Sequence, residues 1–217
     1  MSSSIESLKI VLLGEPGVGK TCIITQFVEE FFQSDTQSSS TGTFSSRTCI
    51  YGNNKFLKLD IWDTAGQEQY RSLTKLFYKD ANVAILVYDI TSKQSFDELK
   101  GFWANQVKES GPADILLVIC ANKSDLINIE QVDEEEARNY AKEIGALFCL
   151  TSAKSADGIS DLFLQIAQKH LGIDDVKLLK NNEDIPLNKN DEQVEKDKKK
   201  GGVTLTNIQQ KKKKKFC

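Results

Sequence analysis

The sequence predicts an α/β domain with a mainly parallel sheet and helices on both faces. Three observations carry that prediction. The continuous apolar runs Val83–Tyr88 and Ile115–Cys120 are those of strands buried on both faces, as in parallel sheets. Segments of helical period alternate with such runs along the chain. A glycine-rich stretch joins the first apolar run to the first helical one, and in such folds ligands lie at the carboxyl ends of the strands.

Taken in order, Leu8–Leu13 is a short apolar run stopped by Gly14, which suits a buried strand. Cys22, Ile23, Ile24, Phe27, Val28 and Phe31 then keep a helical period. Ser34–Ser46 is polar, rich in Ser and Thr and without periodicity, and reads as a long loop. Thr48–Tyr51 and Phe56–Trp62 flank Gly52, Asn53 and Asn54, a hairpin turn that makes one strand antiparallel. After Val83–Tyr88, helical spacing returns over Ser95–Glu109, Asp133–Ile144 and Gly158–Leu171. Ile115–Cys120 and Ala146–Leu150 complete a six-stranded expectation.

The 217 residues carry a formal net charge of −3, and that total hides a split. Residues 1–176 balance at −9, and residues 177–217 at +6, with eight Lys and no acid from Lys198 onward. Residues 174–217 hold few large apolar side chains and read as a flexible tail, which cannot offset its ordering entropy by burial. Residues 8–173 then form one domain, and 1–7 a short extension. No apolar run approaches the ~20 residues of a membrane span, and Met1–Lys9 lacks the apolar core of a secretion signal. Five cysteines, without a C-x-x-C pair, argue against a disulfide framework and a zinc site. Cys49, Cys120 and Cys149 lie among apolar strand residues and read as core; His170, the only histidine, reads as a helix-end cation.

Chemistry concentrates at strand ends. Gly14-Glu-Pro-Gly-Val-Gly-Lys-Thr21 matches G-x-x-x-x-G-K-[ST] between strand and helix. Gly14, Pro16, Gly17, Val18, Gly19 and Cys22 belong to a phosphate cradle, whose backbone N–H groups come from every one of these residues but Pro16. Lys20 would reach the β and γ phosphates, and the Thr21 hydroxyl would ligate Mg²⁺. In Asp60-Ile-Trp-Asp-Thr-Ala-Gly-Gln-Glu68, Asp63 can hold the magnesium through water, Gly66 can donate to a γ-phosphate and Gln67 can orient an attacking water. In Asn122-Lys-Ser-Asp125, the Asp125 carboxylate matches the N1 and N2 donors of guanine, which adenine lacks. Lys123 would lie over the base, and Asn122 would brace the loop. Thr151-Ser-Ala-Lys154 brings Ser152, Ala153 and Lys154 beside it, with the Ala153 N–H suited to the guanine O6.

With these motifs in this order, residues 8–171 resemble the Ras superfamily of small GTPases, and within it the Rab branch. Lys58-Leu-Asp-Ile-Trp-Asp63, Tyr70-Arg-Ser-Leu-Thr74, Phe77-Tyr-Lys-Asp-Ala81 and Leu86-Val-Tyr-Asp-Ile-Thr91 look like the segments that mark Rab proteins. The resemblance implies a P-loop small G-domain that hydrolyses GTP slowly to GDP and phosphate, with Gln67 and Lys20 as catalytic groups. It also implies a trafficking role on the cytosolic face of an endomembrane. An exchange factor, an activating protein, a GDP-dissociation inhibitor and effectors would be its partners.

Three departures stand out. Where Rabs carry Thr-Ile-Gly, this chain has Ser38-Ser-Ser-Thr-Gly-Thr-Phe44; aligning Gly42 puts Ser40 at the metal-ligand position and Thr41 in place of Ile. Pro16 replaces a small residue, fixing φ and removing an N–H near where an activating arginine inserts in Ras-type complexes. The chain stops at Phe216-Cys217 rather than in two cysteines; Cys217 behind Lys211–Lys215 reads as a lipidation site supported by the polybasic run on an anionic membrane. A GTP-binding scaffold that does not cycle is the alternative that the altered loop motivates. Nucleic acid is not the expected partner, because the −9 body repels phosphate and no aromatic side chains interleave with the lysines.

Overall fold

A computed structural model of the chain describes residues 5–32, 43–64 and 77–179. The chain runs β1 (Glu6–Leu13), α1 (Lys20–Glu29), β2 (Phe44–Tyr51), β3 (Lys55–Trp62) and β4 (Val83–Asp89). Then follow α2 (Lys93–Glu98), a π-helical turn (Leu99–Trp103), α3 (Ala104–Ser110) and β5 (Leu116–Asn122). A 3₁₀ segment (Ser124–Ile129), α4 (Glu134–Glu143), β6 (Leu147–Leu150), α5 (Ile159–Leu171) and β7 (Val176–Leu178) complete it.

The strands form one sheet in the order β6-β5-β4-β1-β3-β2-β7. Every pairing is parallel except those of β2, which is antiparallel to both β3 and β7. Alternation along the central strands explains the two-sided burial. Leu8, Ile10 and Leu12 of β1 and Val83, Ile85 and Val87 of β4 face one apolar cluster, shared with Phe27 of α1 and Phe163 of α5. Val11, Leu13, Ala84, Leu86 and Tyr88 face the other, shared with Phe96, Leu99 and Trp103 and with Ala137 and Ala141 of α4. A strand with both faces buried has no polar face to show, so β4 reads as an unbroken apolar run.

The expectation of a mostly parallel sheet with one antiparallel strand and helices on both faces holds, but the sheet has seven strands, not six. β1 starts at Glu6, already in register with Leu57, so the domain begins before residue 8. β2 starts at Phe44, inside the stretch expected as loop, because the hairpin with β3 stays in register from Tyr51↔Lys55 to Phe44↔Trp62. The helix expected over 95–109 begins at Lys93 and is broken by the π turn. Residues 174–179, expected in the tail, carry β7 instead, with Val176 opposite Tyr51 and Leu178 opposite Cys49.

Arg47 fastens that edge. Its guanidinium donates to the Phe27 carbonyl in the last turn of α1, to Glu30 Oε1 at 2.9 Å and, through Nε, to the Leu179 carbonyl at 3.2 Å. α1 has no basic residue of its own in its last turn, so Arg47 supplies the cation that its carbonyl end favours. Glu30 is largely exposed, so that ion pair contributes little; the weight lies on the buried carbonyl bonds and on the Phe27 ring 5.1 Å below the guanidinium. Arg47→Ala should therefore cost about 3 kcal/mol by leaving those carbonyls without their donor and lower the thermal midpoint by roughly 6–12 °C. Calorimetry of the two proteins checks this; an unchanged midpoint would show that the clasp carries no load.

Candidate functional site

The glycine-rich loop between β1 and α1 bends through left-handed backbone at Gly14 (φ 145°) and Gly19 (φ 99°). A Cβ at Gly14 would stand 2.2 Å from the Val87 carbonyl oxygen of β4, so the loop can lie this close to the sheet only without a side chain there. Lys20 opens α1 and is 6% exposed; its Nζ donates to the carbonyls of Gly14 at 2.8 Å and Glu15 at 2.9 Å. Burial pulls the ammonium down to about 8, against the opposing pull of Asp63 and Glu15. The loop thus strings its backbone around a cation, the arrangement that receives phosphate. Pro16 and Gly17 stand exposed at the tip, while Val18 is in the core.

Asp63 leaves β3 fully buried, and its Oδ2 accepts the Thr21 hydroxyl at 2.6 Å. The exit of β3 is fixed by Thr64, whose hydroxyl donates to the Leu12 carbonyl. An alcohol and a carboxylate that converge are an all-oxygen set of the kind a hard magnesium ion takes, so these residues fit that metal.

At the ends of β5 and β6 the base-binding candidates come together. Asn122 is 1% exposed. Its Nδ2 donates to the Val18 carbonyl at 2.8 Å, and its Oδ1 accepts from the Thr151 hydroxyl at 3.2 Å and the Ala153 N–H at 3.3 Å. One amide therefore ties the glycine-rich loop to the segments after β5 and β6. Asp125 Oδ1 accepts from the buried Ser152 hydroxyl at 2.6 Å, and Lys154 Nζ lies 3.7 Å from Oδ2. Lys123 adopts φ 70°, and its ammonium lies 2.6 Å from Asp89 Oδ2. The Ala153 N–H, expected to face guanine O6, here donates to Asn122.

Sequence reasoning missed Asp89. It stands at the carboxyl end of an apolar strand, holds Lys123, and accepts from Thr91 N and Oγ1 at 2.8 and 2.7 Å; an acid ending a buried run was the signal. It also missed an aromatic strip: Phe44, half exposed, lies 5.1 Å from the Trp62 ring, and Trp62 lies 6.1 Å from Phe77. The three core cysteines are as expected, burial pushing Cys49 and Cys120 up to about 12 and Cys149 to about 11. His170 ends α5 beside Glu6 Oε1 at 3.1 Å. Cys22 follows Thr21, partly exposed, in the first turn of α1. Ser40, Thr41, Gly66, Gln67 and Cys217 lie outside the described residues.

A mostly parallel sheet with a glycine-rich loop between its first strand and helix, and the site-facing loops at its strand ends, is the frame of a nucleotide-binding α/β domain. Comparison with known proteins agrees: the Ras family model matches residues 9–171. The chain is 41% identical to the human Ras-related protein Rab-22A over 168 residues, covering 76% of this chain and 84% of that protein. It is 42% identical to rat Rab-31 over the same shares and 39% identical to rice Rab5A over 78% of this chain and 82% of that protein. The chain belongs to the Rab branch of the Ras family of small GTPases. It is a GTPase, and membrane trafficking is its field of action.

Proposed function

We propose that the chain is a magnesium-dependent GTP/GDP switch tethered to the cytosolic face of an endomembrane. The observation that carries this reading is the Asn122 bridge, which makes the phosphate loop and the guanine-specific Asp125 loop parts of one site. Thr21 and Asp63, with Ser40 from the loop outside the described residues, would hold the metal. When bound, magnesium neutralises charge on the β and γ phosphates. Lys20 draws the same phosphates into the loop amides, Gly66 meets the γ-phosphate, and Gln67 orients the attacking water. Ser152, Ala153 and Lys154 frame the base, and Lys123 covers it once drawn from Asp89. Ras-type sites of this kind turn over at about 3–5 × 10⁻⁴ s⁻¹ alone, a barrier of roughly 22 kcal/mol, and an external arginine adds about 10⁵-fold.

The segments around Ser40–Phe44 and Ala65–Leu76 are those that such a switch would reorder on hydrolysis. The strip of Phe44, Trp62 and Phe77 offers an apolar footing for effectors, which matters more here because Thr41 replaces the customary Ile. Cys217 with one lipid chain, aided by eight lysines worth about 1 kcal/mol each near an anionic leaflet, would anchor the chain.

Loading the protein with guanine and adenine nucleotides with and without magnesium, and timing phosphate release, tests the reading. Preference for ATP would overturn it; GTP binding with no phosphate released over many hours would favour the non-cycling scaffold. Pro16 gives a further expected result. Its exposed ring sits where an arginine would enter, so Pro16→Gly should raise activator-stimulated hydrolysis about tenfold, a barrier change of roughly 1.4 kcal/mol, with nucleotide binding unchanged. Single-turnover rates with and without an activating protein check it, and identical rates for both proteins would refute the role of Pro16.

A further inference from the structure

We infer that Trp103 is a positioning residue for the phosphate loop, acting through Glu15. Trp103 is 1% exposed, and its indole Nε1–H donates to Glu15 Oε1 at 2.9 Å, across 88 residues of chain. Glu15 is an awkward residue for its place. A carboxylate on the second residue of an anion-binding loop repels the phosphates that the loop amides attract, unless its charge is engaged elsewhere. Here the indole engages it. The same residue's carbonyl oxygen accepts from Lys20 Nζ at 2.9 Å, so whatever moves Glu15 also moves the cation of the site.

The local structure that aims the indole is the π turn Leu99–Trp103. A π turn inserts one residue into a helix and changes the angular position of every side chain after it; such turns recur at functional sites. α2 and α3 on either side are ordinary helix, and Leu99, Trp103 and Val107 all remain buried. Packing alone would be served by any large apolar side chain at 103. The N–H, delivered to a loop carboxylate, is what a phenylalanine would lack. Phe102, its ring 5.0 Å from the indole and edge-on to it, limits the indole's freedom to turn away.

A merely structural indole would have its N–H satisfied by Glu15 without consequence for nucleotide. The two cases separate through charge. Trp103→Phe takes the indole donor from the carboxylate and should speed release of fluorescent GDP about tenfold. Glu15→Gln alone keeps an acceptor for the indole and removes the charge, so its release rate is the reference for the double variant. The double variant has the same Phe at 103, hence the same packing change, but no charge to release; its rate should return close to that of Glu15→Gln. Release from Trp103→Phe at the wild-type rate, or no recovery in the double variant, would overturn the inference.

A second readout leaves Trp103 in place. The sequence has two tryptophans, so two indole N–H resonances are expected. In Glu15→Ala one of them should move upfield and exchange faster with solvent, and GDP release should not slow. Two unmoved resonances would equally overturn the inference. The inference rests on the chain binding guanine nucleotide: wild-type protein that retains no GDP would sink that reading, whereas a failed rescue with normal wild-type binding sinks only the role of Trp103.

Discussion

Replacing Asp125 with asparagine is expected to weaken GDP binding about a thousandfold, roughly 4 kcal/mol, while leaving the fold intact. On the proposed reading the carboxylate would supply two charge-assisted acceptors for the N1–H and N2–H of guanine, each worth about 1.5–3 kcal/mol. The Ser152 hydroxyl donates to Oδ1 at 2.6 Å. In the Asp125→Asn variant the amide oxygen keeps that bond, so the NH₂ turns to the base, where donor meets donor. A base that carries a carbonyl in place of the 2-amino group reverses the preference, so the variant should gain affinity for xanthosine diphosphate. Titration of wild type and Asp125→Asn with GDP, ADP and xanthosine diphosphate checks this. An unchanged order of affinities would remove Asp125 from base recognition.

Much of the fold and of the site could be read from residue types because each signal was local. An unbroken apolar run such as Val83–Tyr88 suits a strand buried on both faces, and a glycine-rich loop ending in Lys20-Thr21 matches a phosphate-binding pattern that calls for the strand before it and the helix after it, both of which are present. What escaped was whatever depends on a partner far away in sequence. β7 is three residues long and is held as a strand by the edge of β2 and by Arg47, which donates to the Leu179 carbonyl. The first residues of β2 are polar and look like loop until the register with β3 carries them to Phe44. The π turn leaves no mark on composition: Phe96, Leu99, Trp103 and Val107 keep a spacing that a regular helix also allows. In the site, Lys20, Thr21 and Asp63 were expected to converge on one metal-phosphate group, and Thr21 does meet Asp63 directly. The pairing of Lys123 with Asp89 was invisible, because nothing in either motif points to the other.

Gly19→Ala is the other change with a large expected effect, and it tests whether the two halves of the site are one. Gly19 has φ 99°, a region that costs an alanine roughly 1–2 kcal/mol. Its added Cβ would stand 2.3 Å from Asn122 Nδ2. That nitrogen cannot give way cheaply, since it donates to the Val18 carbonyl while the other end of the amide holds Thr151 and Ala153. Displacing it strands buried polar groups at about 1–3 kcal/mol and loosens the base loop through a change made in the phosphate loop. The Gly19 carbonyl also accepts the first helical bond of α1, from Ile23 N at 2.9 Å, so Lys20 and Thr21 shift with it. Nucleotide affinity should fall by about a hundredfold or more. Gly17 supplies the control: its φ is 78°, but a Cβ there meets nothing within 4 Å. Gly17→Ala therefore bears the backbone strain without the collision and should lose only about tenfold. Equal losses in the two variants would mean that strain alone matters and that the Asn122 bridge does not couple phosphate to base. A tenfold gap or more would mean that the guanine-reading loop is held in place from the phosphate side.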